Sequence, residues 1–275
     1  MSSDKINFFT CANDRYSFFI PIYIYFVLKY NPNSFVEIVV ESEETKKSLV
    51  DFTNAVVRRF GERVLLRIGS FQGLTPNIVR FVEEPVVKLK YTYIGDIDIF
   101  VVEDVASWHI PMLGKLDLPH TNIIRHNQKR MTGLHFFETD KHYPIDFNNF
   151  NIYSKKTTTD EEFLYHIYSE KGLLPSPDHK KRPEHGIHVS LNRCPFDKKG
   201  WGMNEIFFDR TIESIGELLS PEFVNFLSEK TIWILKFVKI SIESKYIFSD
   251  DELQDIRFLG RSKREQEILN DYYRK

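Results

Sequence analysis

Cysteine, net charge and long apolar runs are all scarce in this sequence of 275 residues. The two cysteines, Cys11 and Cys194, are far apart and lack C-x-x-C spacing, which excludes a disulfide framework and a zinc ribbon. The formal net charge is −2, so the chain has no overall positive field to hold a nucleic-acid backbone. We therefore expect a protein of a reducing compartment that does not bind nucleic acid.

The two most apolar stretches are too short or too charged to span a membrane. Residues 18–30 contain Pro21 and fall well short of the about 20 apolar residues that a bilayer requires. Residues 231–242 are interrupted by Lys236 and Lys239. The polar opening residues lack the apolar segment of a secretory signal. These features predict a cytoplasmic location.

The segment from Lys230 to Ile240 alternates lysines with aromatic and aliphatic residues. A helix that lies on an anionic membrane has this pattern. A helix that packs its apolar face on the protein and points its lysines to water has it as well. Peripheral contact of the C-terminal helices with the cytoplasmic face of the membrane is therefore one of two open alternatives.

Strand-like and helix-like segments alternate in the first hundred residues. The predicted strands are residues 6–11, 35–40, 64–68 and 91–94. The predicted helices are residues 16–30, 43–60, part of 77–90, 160–171 and most of the chain from 205 onward. Short strands are also predicted at 122–125 and 134–137. The alternation predicts an α/β fold with a mostly parallel sheet flanked by helices, and a helical C-terminal region over residues 205–275 packed on a domain of residues 1–204.

Asp96 and Asp98 follow the fourth predicted strand directly. In an extended chain, residues two apart point to the same side, so the two carboxylates are expected to converge. Like charges this close need a proton or a cation between them, and their hard oxygen atoms suit Mg²⁺ or Mn²⁺. The Asp-x-Asp pattern also arises by chance, so its place at the carboxyl end of a strand, where such sheets bind ligands, is what favours a metal site.

This arrangement resembles the GT-A glycosyltransferases, whose Asp-x-Asp motif holds a divalent cation against the diphosphate of a nucleotide sugar. The resemblance covers roughly residues 6–195. It includes the first strand leading into residues 10–16, where the family places base and ribose contacts, and a small-residue turn with a following strand at residues 131–137. The order of motifs is most similar to the glycogenin and bacterial lipooligosaccharide galactosyltransferase branch.

The sequence departs from that branch at three motifs. Thr132-Gly133 stands in place of the Asn-x-Gly segment that lines the sugar site. Residues 160–162, Asp-Glu-Glu, stand where Asp-Gln-Asp is expected, and residues 182–188 differ from the late histidine motif, which normally continues Lys-Pro-Trp. The stereochemical outcome, retention or inversion, is therefore left open.

The resemblance implies a Rossmann-like, GT-A-like domain over residues 1–204 that uses Mn²⁺ or Mg²⁺. It implies transfer of a hexose-type sugar from a UDP- or GDP-linked donor to a glycan, lipid-linked or protein acceptor, in surface polysaccharide synthesis. Asp96 and Asp98 would hold the cation, with His188 or His185 completing the metal shell. We favour His188, because the Val-Ser that follows it predicts an ordered strand. The alternative is that both are surface histidines of a basic loop.

Asn13, Asp14, Tyr16 and Arg80 are the candidates for binding the nucleotide. The resemblance implies ribose and base contacts for the first three and a basic residue that reaches the nucleotide for Arg80. Asn13-Asp14 is also a common turn pair, and Arg80 also fits the surface of a helix. Both pairs of alternatives stay open.

Asp160 and Glu161 are the candidates for a carboxylate beside the anomeric carbon, as a base or as a stabiliser of an oxocarbenium-like state. Their alternative role is a favourable interaction with the helix dipole, without catalysis. Gly133, His135 and Trp201 are candidates for contacting the sugar or the acceptor, although His135 and Trp201 also fit a core.

Two other classes of protein fit the Asp-x-Asp pattern. The haloacid-dehalogenase phosphatases use the first aspartate as a nucleophile, but their motif normally sits at the first strand and continues with Thr or Val, whereas Ile99 follows here. A non-catalytic nucleotide- or sugar-binding module with structural carboxylates is the second alternative.

Overall fold

The computed structural model describes residues 5–71, 74–125, 129–145, 159–180, 185–189 and 205–244. Ten strands lie in these residues: β1 (Ile6–Ala12), β2 (Phe35–Val40), β3 (Val64–Ile68), β4 (Tyr91–Ile94), β5 (Ile99–Val101), β6 (His120–Thr121), β7 (Ile124–Arg125), β8 (Arg130–Met131), β9 (His135–Glu138) and β10 (Gly186–His188). The α-helices in the same residues are α1 (Ile20–Tyr30), α2 (Glu43–Ser48), α3 (Val50–Phe60), α4 (Pro76–Val82), α5 (Val105–Leu116), α6 (Thr139–His142), α7 (Asp160–Glu170), α8 (Glu205–Leu218) and α9 (Glu229–Ser244).

Six strands form the central sheet, in the order β3-β2-β1-β4-β9-β6. The pairs β1 with β2, β2 with β3 and β1 with β4 are parallel, and β9 is antiparallel to both β4 and β6. Every residue of β1 is buried, because this strand lies inside the sheet and both faces are covered. The predicted α/β fold with a mostly parallel sheet is therefore confirmed.

Local sequence explains where most of these elements begin and end. β2, β3 and β4 have the predicted bounds, since each is a short apolar run between breakers. Gly61 ends α3 with a φ of 85°, a left-handed conformation that glycine adopts without strain. The single helix predicted over residues 43–60 is wrong, because the chain breaks at Leu49, whose side chain is buried.

The sequence did not lead us to predict a helix at α5. This helix contains Pro111 and Gly114, two residues that weaken a helical pattern. Asp104 caps its start, since the carboxylate accepts a hydrogen bond from the Ala106 N–H at 3.1 Å. The pattern of apolar and polar residues therefore does not reveal this helix, although Asp104 caps its start.

The C-terminal helices α8 and α9 pack on the start of the chain. Lys29 of α1 forms ion pairs with Glu213 at 2.9 Å and Glu217 at 3.0 Å, both on α8. The Thr231 hydroxyl of α9 donates to the Phe18 carbonyl at 3.0 Å, in the 3₁₀ helix Asp14–Phe19 that precedes α1.

None of the described helices combines the length and the apolar character needed to cross a bilayer. The domain boundary after residue 204 stays a prediction, and residues 245–275 lie outside the described residues.

Candidate active site

Asp96 and Asp98 lie in the turn between β4 and β5, next to the carboxyl end of β1. The Ile99 N–H donates to the Asp96 carbonyl at 3.2 Å and closes this turn. The Thr10 hydroxyl of β1 donates to the Gly95 carbonyl at 2.9 Å, which ties the turn to the central strand. The expectation that an extended chain aligns Asp96 and Asp98 is therefore wrong, because a turn brings the two carboxylates together.

His188 reaches the two aspartates from β10. Its Nε2 atom is 3.2 Å from Asp98 Oδ1 and 3.9 Å from Asp96 Oδ2. β10 pairs antiparallel with β5, which places His188 opposite Ile99. The Val189 N–H also donates to the Asp98 carbonyl at 2.9 Å. The preference for His188 on an ordered strand therefore agrees with its position.

Asp96, Asp98 and His188 together fit a divalent cation. One ligand atom from each residue lies within 4.8 Å of the others. Two carboxylates and an imidazole form a mixed set of oxygen and nitrogen donors that Mn²⁺ accepts readily and Mg²⁺ accepts with water or phosphate oxygens added. All three side chains are partly exposed, so such oxygens have access to the site.

Arg80 joins the acidic pair to a third carboxylate. Its guanidinium is 2.5 Å from Asp96 Oδ1 through one nitrogen and 2.8 Å from Asp160 Oδ2 through another. The side chain is only 3% exposed. Burial acts to lower the pKa of Arg80, but Asp96 and Asp160 more than offset this and raise the pKa overall. Arg80 is therefore a fixed cation and not a helix-surface residue.

Gly133 packs against this ion pair. A Cβ atom at Gly133 would lie 2.9 Å from the Arg80 guanidinium and 3.3 Å from Asp160 Oδ2. A side chain of any size would therefore push one of these two groups out of place. The structure brings Gly133, Arg80, Asp96 and Asp160 together, although they are far apart in sequence.

Asp160 and Glu161 diverge at the start of α7. Thr159 caps this helix by accepting a hydrogen bond from the Glu162 N–H at 3.2 Å. Glu161 turns to Arg125, with which it forms an ion pair at 3.0 Å. Burial raises the pKa of Glu161, and Arg125 opposes this shift. Of the two candidates, Asp160 is the one that contacts the Arg80 centre.

Tyr16 lies within electrostatic reach of the acidic pair. Burial raises the pKa of its hydroxyl, and the charge of Asp98 raises it further. Asn13 caps the 3₁₀ helix by accepting from the Tyr16 N–H at 3.2 Å. The Asp14 carboxylate accepts from Ser42 Oγ at 2.8 Å and from Thr45 Oγ1 at 2.6 Å. Asn13 and Asp14 thus have structural partners, and their contact with a nucleotide stays a prediction.

Two further candidates in the described residues, His185 and His135, have partners away from the acidic pair. His185 contacts His109, with their Nε2 atoms 2.8 Å apart. His135 is completely buried, and its ring nitrogens contact Asn122 and Tyr168. Trp201 lies outside the described residues.

No protein-family model matches the sequence, and no curated protein matches it. Among solved structures, the apo-form glycosyltransferase GlyE of Streptococcus pneumoniae TIGR4 is similar, with a TM-score of 0.51 and 14% identity. The match covers 86% of this chain and 64% of GlyE. The chain has a GT-A-like glycosyltransferase fold.

Two further solved glycosyltransferases have lower scores. The galactosyltransferase LgtC, in complex with donor and acceptor sugar analogs, matches with a TM-score of 0.44 and 15% identity over 60% of this chain and 70% of LgtC. Residues 1–349 of S. aureus TarS match with a TM-score of 0.45 and 9% identity over 96% of this chain and 77% of that one. In this chain, Asp96, Asp98 and His188 lie at the carboxyl side of the parallel strands β1 and β4.

Proposed function

We propose that this chain is a metal-dependent glycosyltransferase that moves a sugar from a nucleoside-diphosphate donor to an acceptor. The observation that carries the proposal is the linked site itself, in which Asp96 faces His188 on one side and Arg80 on the other, and Arg80 continues to Asp160. The metal half of the site, formed by Asp96, Asp98 and His188, suits a cation. The sugar half, formed by Arg80, Gly133 and Asp160, suits a sugar. The GT-A-like fold supports the same reading.

Asp96, Asp98 and His188 would hold Mn²⁺ or Mg²⁺. The bound ion would neutralise charge on the leaving nucleoside diphosphate. Asp96 uses one carboxylate oxygen for Arg80, and its other oxygen faces His188. Arg80 therefore fixes the orientation of the Asp96 side chain, so that the remaining oxygen points into the cluster.

Asp160 is the residue that we assign to the reacting sugar. Its carboxylate is held at 2.8 Å from the buried guanidinium of Arg80, and Gly133 packs closely against both groups. A fixed carboxylate there accepts hydrogen bonds from sugar hydroxyls and stabilises positive charge that develops at the anomeric carbon. We assign Glu161 to a supporting role, because Arg125 engages it.

The remaining features of the function are proposals on the same basis. Tyr16 contacts the base or ribose of a UDP- or GDP-linked donor, since it lies within electrostatic reach of Asp98. The acceptor is a glycan, a lipid-linked glycan or a protein, and the reaction belongs to hexosyl transfer in surface polysaccharide synthesis. We place the enzyme in the cytoplasm, with membrane contact through the C-terminal helices as an open alternative.

The test begins with binding of Mn²⁺ and of UDP or GDP, followed by incubation with a mixed panel of UDP- and GDP-sugars. Nucleotide release and sugar products are measured by mass spectrometry. Loss of a group that only supports a metal ligand costs about 10- to 100-fold in affinity, so Asp98→Asn, which alters a ligand itself, should weaken Mn²⁺ binding by at least that much and abolish sugar transfer or donor hydrolysis. Asp51→Asn is the matched control, because Asp51 is an exposed aspartate in the first turn of α3.

The same panel separates the competing functions. A phosphatase would release inorganic phosphate and show no preference for UDP- or GDP-sugars. A non-catalytic module would bind a ligand without turning it over. Either result would contradict the proposal. Normal donor turnover by Asp98→Asn would contradict the metal mechanism.

Asp160→Asn separates the sugar half of the site from the metal half. The amide keeps the volume of the side chain but loses the charge that pairs with Arg80. Turnover should fall steeply while Mn²⁺ binding stays close to that of the wild type, because Asp160 is not among the cation ligands. Near-normal turnover would return Asp160 to a purely structural role at the start of α7.

A further inference from the structure

A buried hydrogen-bond network lies behind the sugar half of the site. The Tyr168 hydroxyl is 2.6 Å from His135 Nε2 and 2.8 Å from His142 Nδ1. All three side chains are almost completely shielded from water. No substrate can reach them without local opening, so the network acts on the site through the elements that it joins.

One arrangement of protons satisfies the whole network. Asn122 Nδ2 donates to His135 Nδ1 at 3.0 Å, which leaves the proton of that ring on Nε2, where it is donated to the Tyr168 oxygen. The Tyr168 hydroxyl then donates to His142 Nδ1, and His142 Nε2 donates to the Phe81 carbonyl at 3.0 Å. Both imidazoles are neutral in this arrangement. Burial favours this state, since it lowers the pKa of His135 and brings the pKa of His142 down to about 3.

The network ends next to the groups of the sugar half of the site. Asn122 Oδ1 accepts from the Thr132 N–H at 3.2 Å and from the Thr132 hydroxyl at 2.6 Å, and Thr132 directly precedes Gly133. Phe81, at the other end, directly follows Arg80 in α4. Tyr168 belongs to α7, the helix that begins with Asp160.

We infer that Asn122, His135, Tyr168 and His142 form a positioning network that sets the spacing of Arg80, Gly133 and Asp160, and so aligns the donor sugar. The inference rests on the proposed function. Its physical basis is that a fully satisfied buried network has a single low-energy geometry, whereas a partly satisfied one does not. A displacement of about 1 Å at a reacting group costs on the order of 100-fold in rate.

Two of the three candidate cation ligands are held independently of the network. Asp98 and His188 are held by the turn after β4 and by the pairing of β10 with β5, through contacts that involve none of the four network residues. The third ligand, Asp96, is connected to the network through its ion pair with Arg80. Loss of the network should therefore affect the sugar step more strongly than the binding of metal and nucleotide. A role in general stability would affect every property alike.

The decisive variant is Tyr168→Phe, which removes one hydroxyl and leaves the ring in place. Turnover of the UDP- or GDP-sugar that the wild type uses should fall by about tenfold or more. The affinities for Mn²⁺ alone and for UDP or GDP alone should fall by less than turnover does, because Asp98 and His188 are held by contacts outside the network. Tyr30→Phe is the matched control, since the Tyr30 hydroxyl also has two partners, the Arg210 carbonyl and Ser214 Oγ, both at 3.0 Å and both on α8.

A spectroscopic measurement tests the inference without any turnover. In ¹⁵N-labelled protein, the signals of the Gly133 amide and of the Arg80 guanidinium should shift in Tyr168→Phe and stay unchanged in Tyr30→Phe. Thr132→Val, which removes the hydroxyl that donates to Asn122, should give a similar shift if Tyr168→Phe fails to fold. Unshifted signals in a folded variant would overturn the inference.

The kinetic outcomes are equally separable. Normal donor turnover by folded Tyr168→Phe would overturn the positioning role, and so would a parallel loss of turnover, metal affinity and nucleotide affinity. A wild-type protein that binds neither Mn²⁺ nor nucleotide would contradict the proposed function instead. In that case the shifts of Gly133 and Arg80 still decide whether the network sets their positions.

Discussion

His185 Nε2 lies 2.8 Å from His109 Nε2, so the first histidine of the His185–His188 pair is bound to helix α5 and not to the acidic pair. His109 is fixed in turn by Thr121 Oγ1, 2.5 Å from its Nδ1 atom. His185 is buried, whereas a third of the His188 side chain is exposed. Two histidines that look equivalent in sequence therefore have different roles.

The two histidines give a matched pair of variants for the metal site. His188→Ala removes a ligand atom from the cluster, so it should weaken Mn²⁺ binding by at least the about 10- to 100-fold that follows loss of a group supporting a metal ligand. His185→Asn should lower thermal stability through loss of the contact with His109, but leave Mn²⁺ affinity nearly unchanged. Isothermal titration measures the Mn²⁺ affinity of both variants, and thermal unfolding measures the stability of His185→Asn. Equal losses of affinity in the two variants would contradict the assignment of His188 alone.

Gly133→Ala should disturb the sugar half of the site. The added methyl would meet the Arg80 guanidinium at 2.9 Å, and Arg80 is buried and held by two carboxylates, so it cannot move away without cost. Turnover should fall by about 10- to 100-fold, and by more than the affinity for Mn²⁺, because Asp98 and His188 do not contact Arg80 through the ion pair. Steady-state kinetics with the preferred donor provide the measurement. The control is Gly114→Ala in α5, where an added Cβ has open space, and a rate like the wild type for Gly133→Ala would contradict the close packing.

Glu37 should be one of the most sensitive positions for stability. Its buried carboxylate pairs with Arg67 Nε at 2.7 Å and accepts the N–H groups of Val86 and Val87, both at 2.9 Å. Glu37→Ala leaves the two N–H groups without their acceptor, whereas Arg67 keeps its ion pair with Glu83 at 2.6 Å. The substitution should therefore lower the free energy of unfolding by about 1–3 kcal/mol.

Urea denaturation measures the effect of Glu37→Ala. Glu62→Ala is the control, since Glu62 is exposed in the loop between α3 and β3 and should change the free energy of unfolding by less than about 0.5 kcal/mol. A loss of similar size in both variants would show that the carboxylate of Glu37 does not hold the segment before β4.

The buried histidines predict that acid destabilises the fold. Burial lowers the pKa of His120 to about 4 and that of His142 to about 3, and it lowers the pKa of His135 as well. Unfolded histidine takes up a proton near pH 6.5, so below this pH the unfolded state binds more protons than the folded state. The stability present above pH 6.5 should therefore decrease as the pH falls toward 4, by up to about 1.4 kcal/mol per pH unit for each histidine.

Urea midpoints between pH 7 and pH 5 check this prediction. His142→Gln should remove one of the three contributions and so make the pH dependence shallower, whatever its own effect on stability at pH 7. A free energy of unfolding that is constant from pH 7 to pH 5 would contradict the neutral state of these imidazoles.

The sequence predicted well those features that depend on neighbouring residues. The bounds of β2, β3 and β4 follow from short apolar runs between breakers, and Gly61 ends α3. It also predicted the start of α7 at Asp160, from the acidic residues of the first turn. It missed α5, whose cap at Asp104 is clear but whose interior contains Pro111.

By itself, the sequence determined that two carboxylates, Asp96 and Asp98, follow a buried strand, because both lie within four residues of its end. The tertiary structure alone decided which groups join them. His188 reaches Asp98 through the register of β10 on β5, and Arg80 reaches Asp160 across 80 positions of the chain. Such contacts depend on how distant elements pack, and residue spacing does not record the packing.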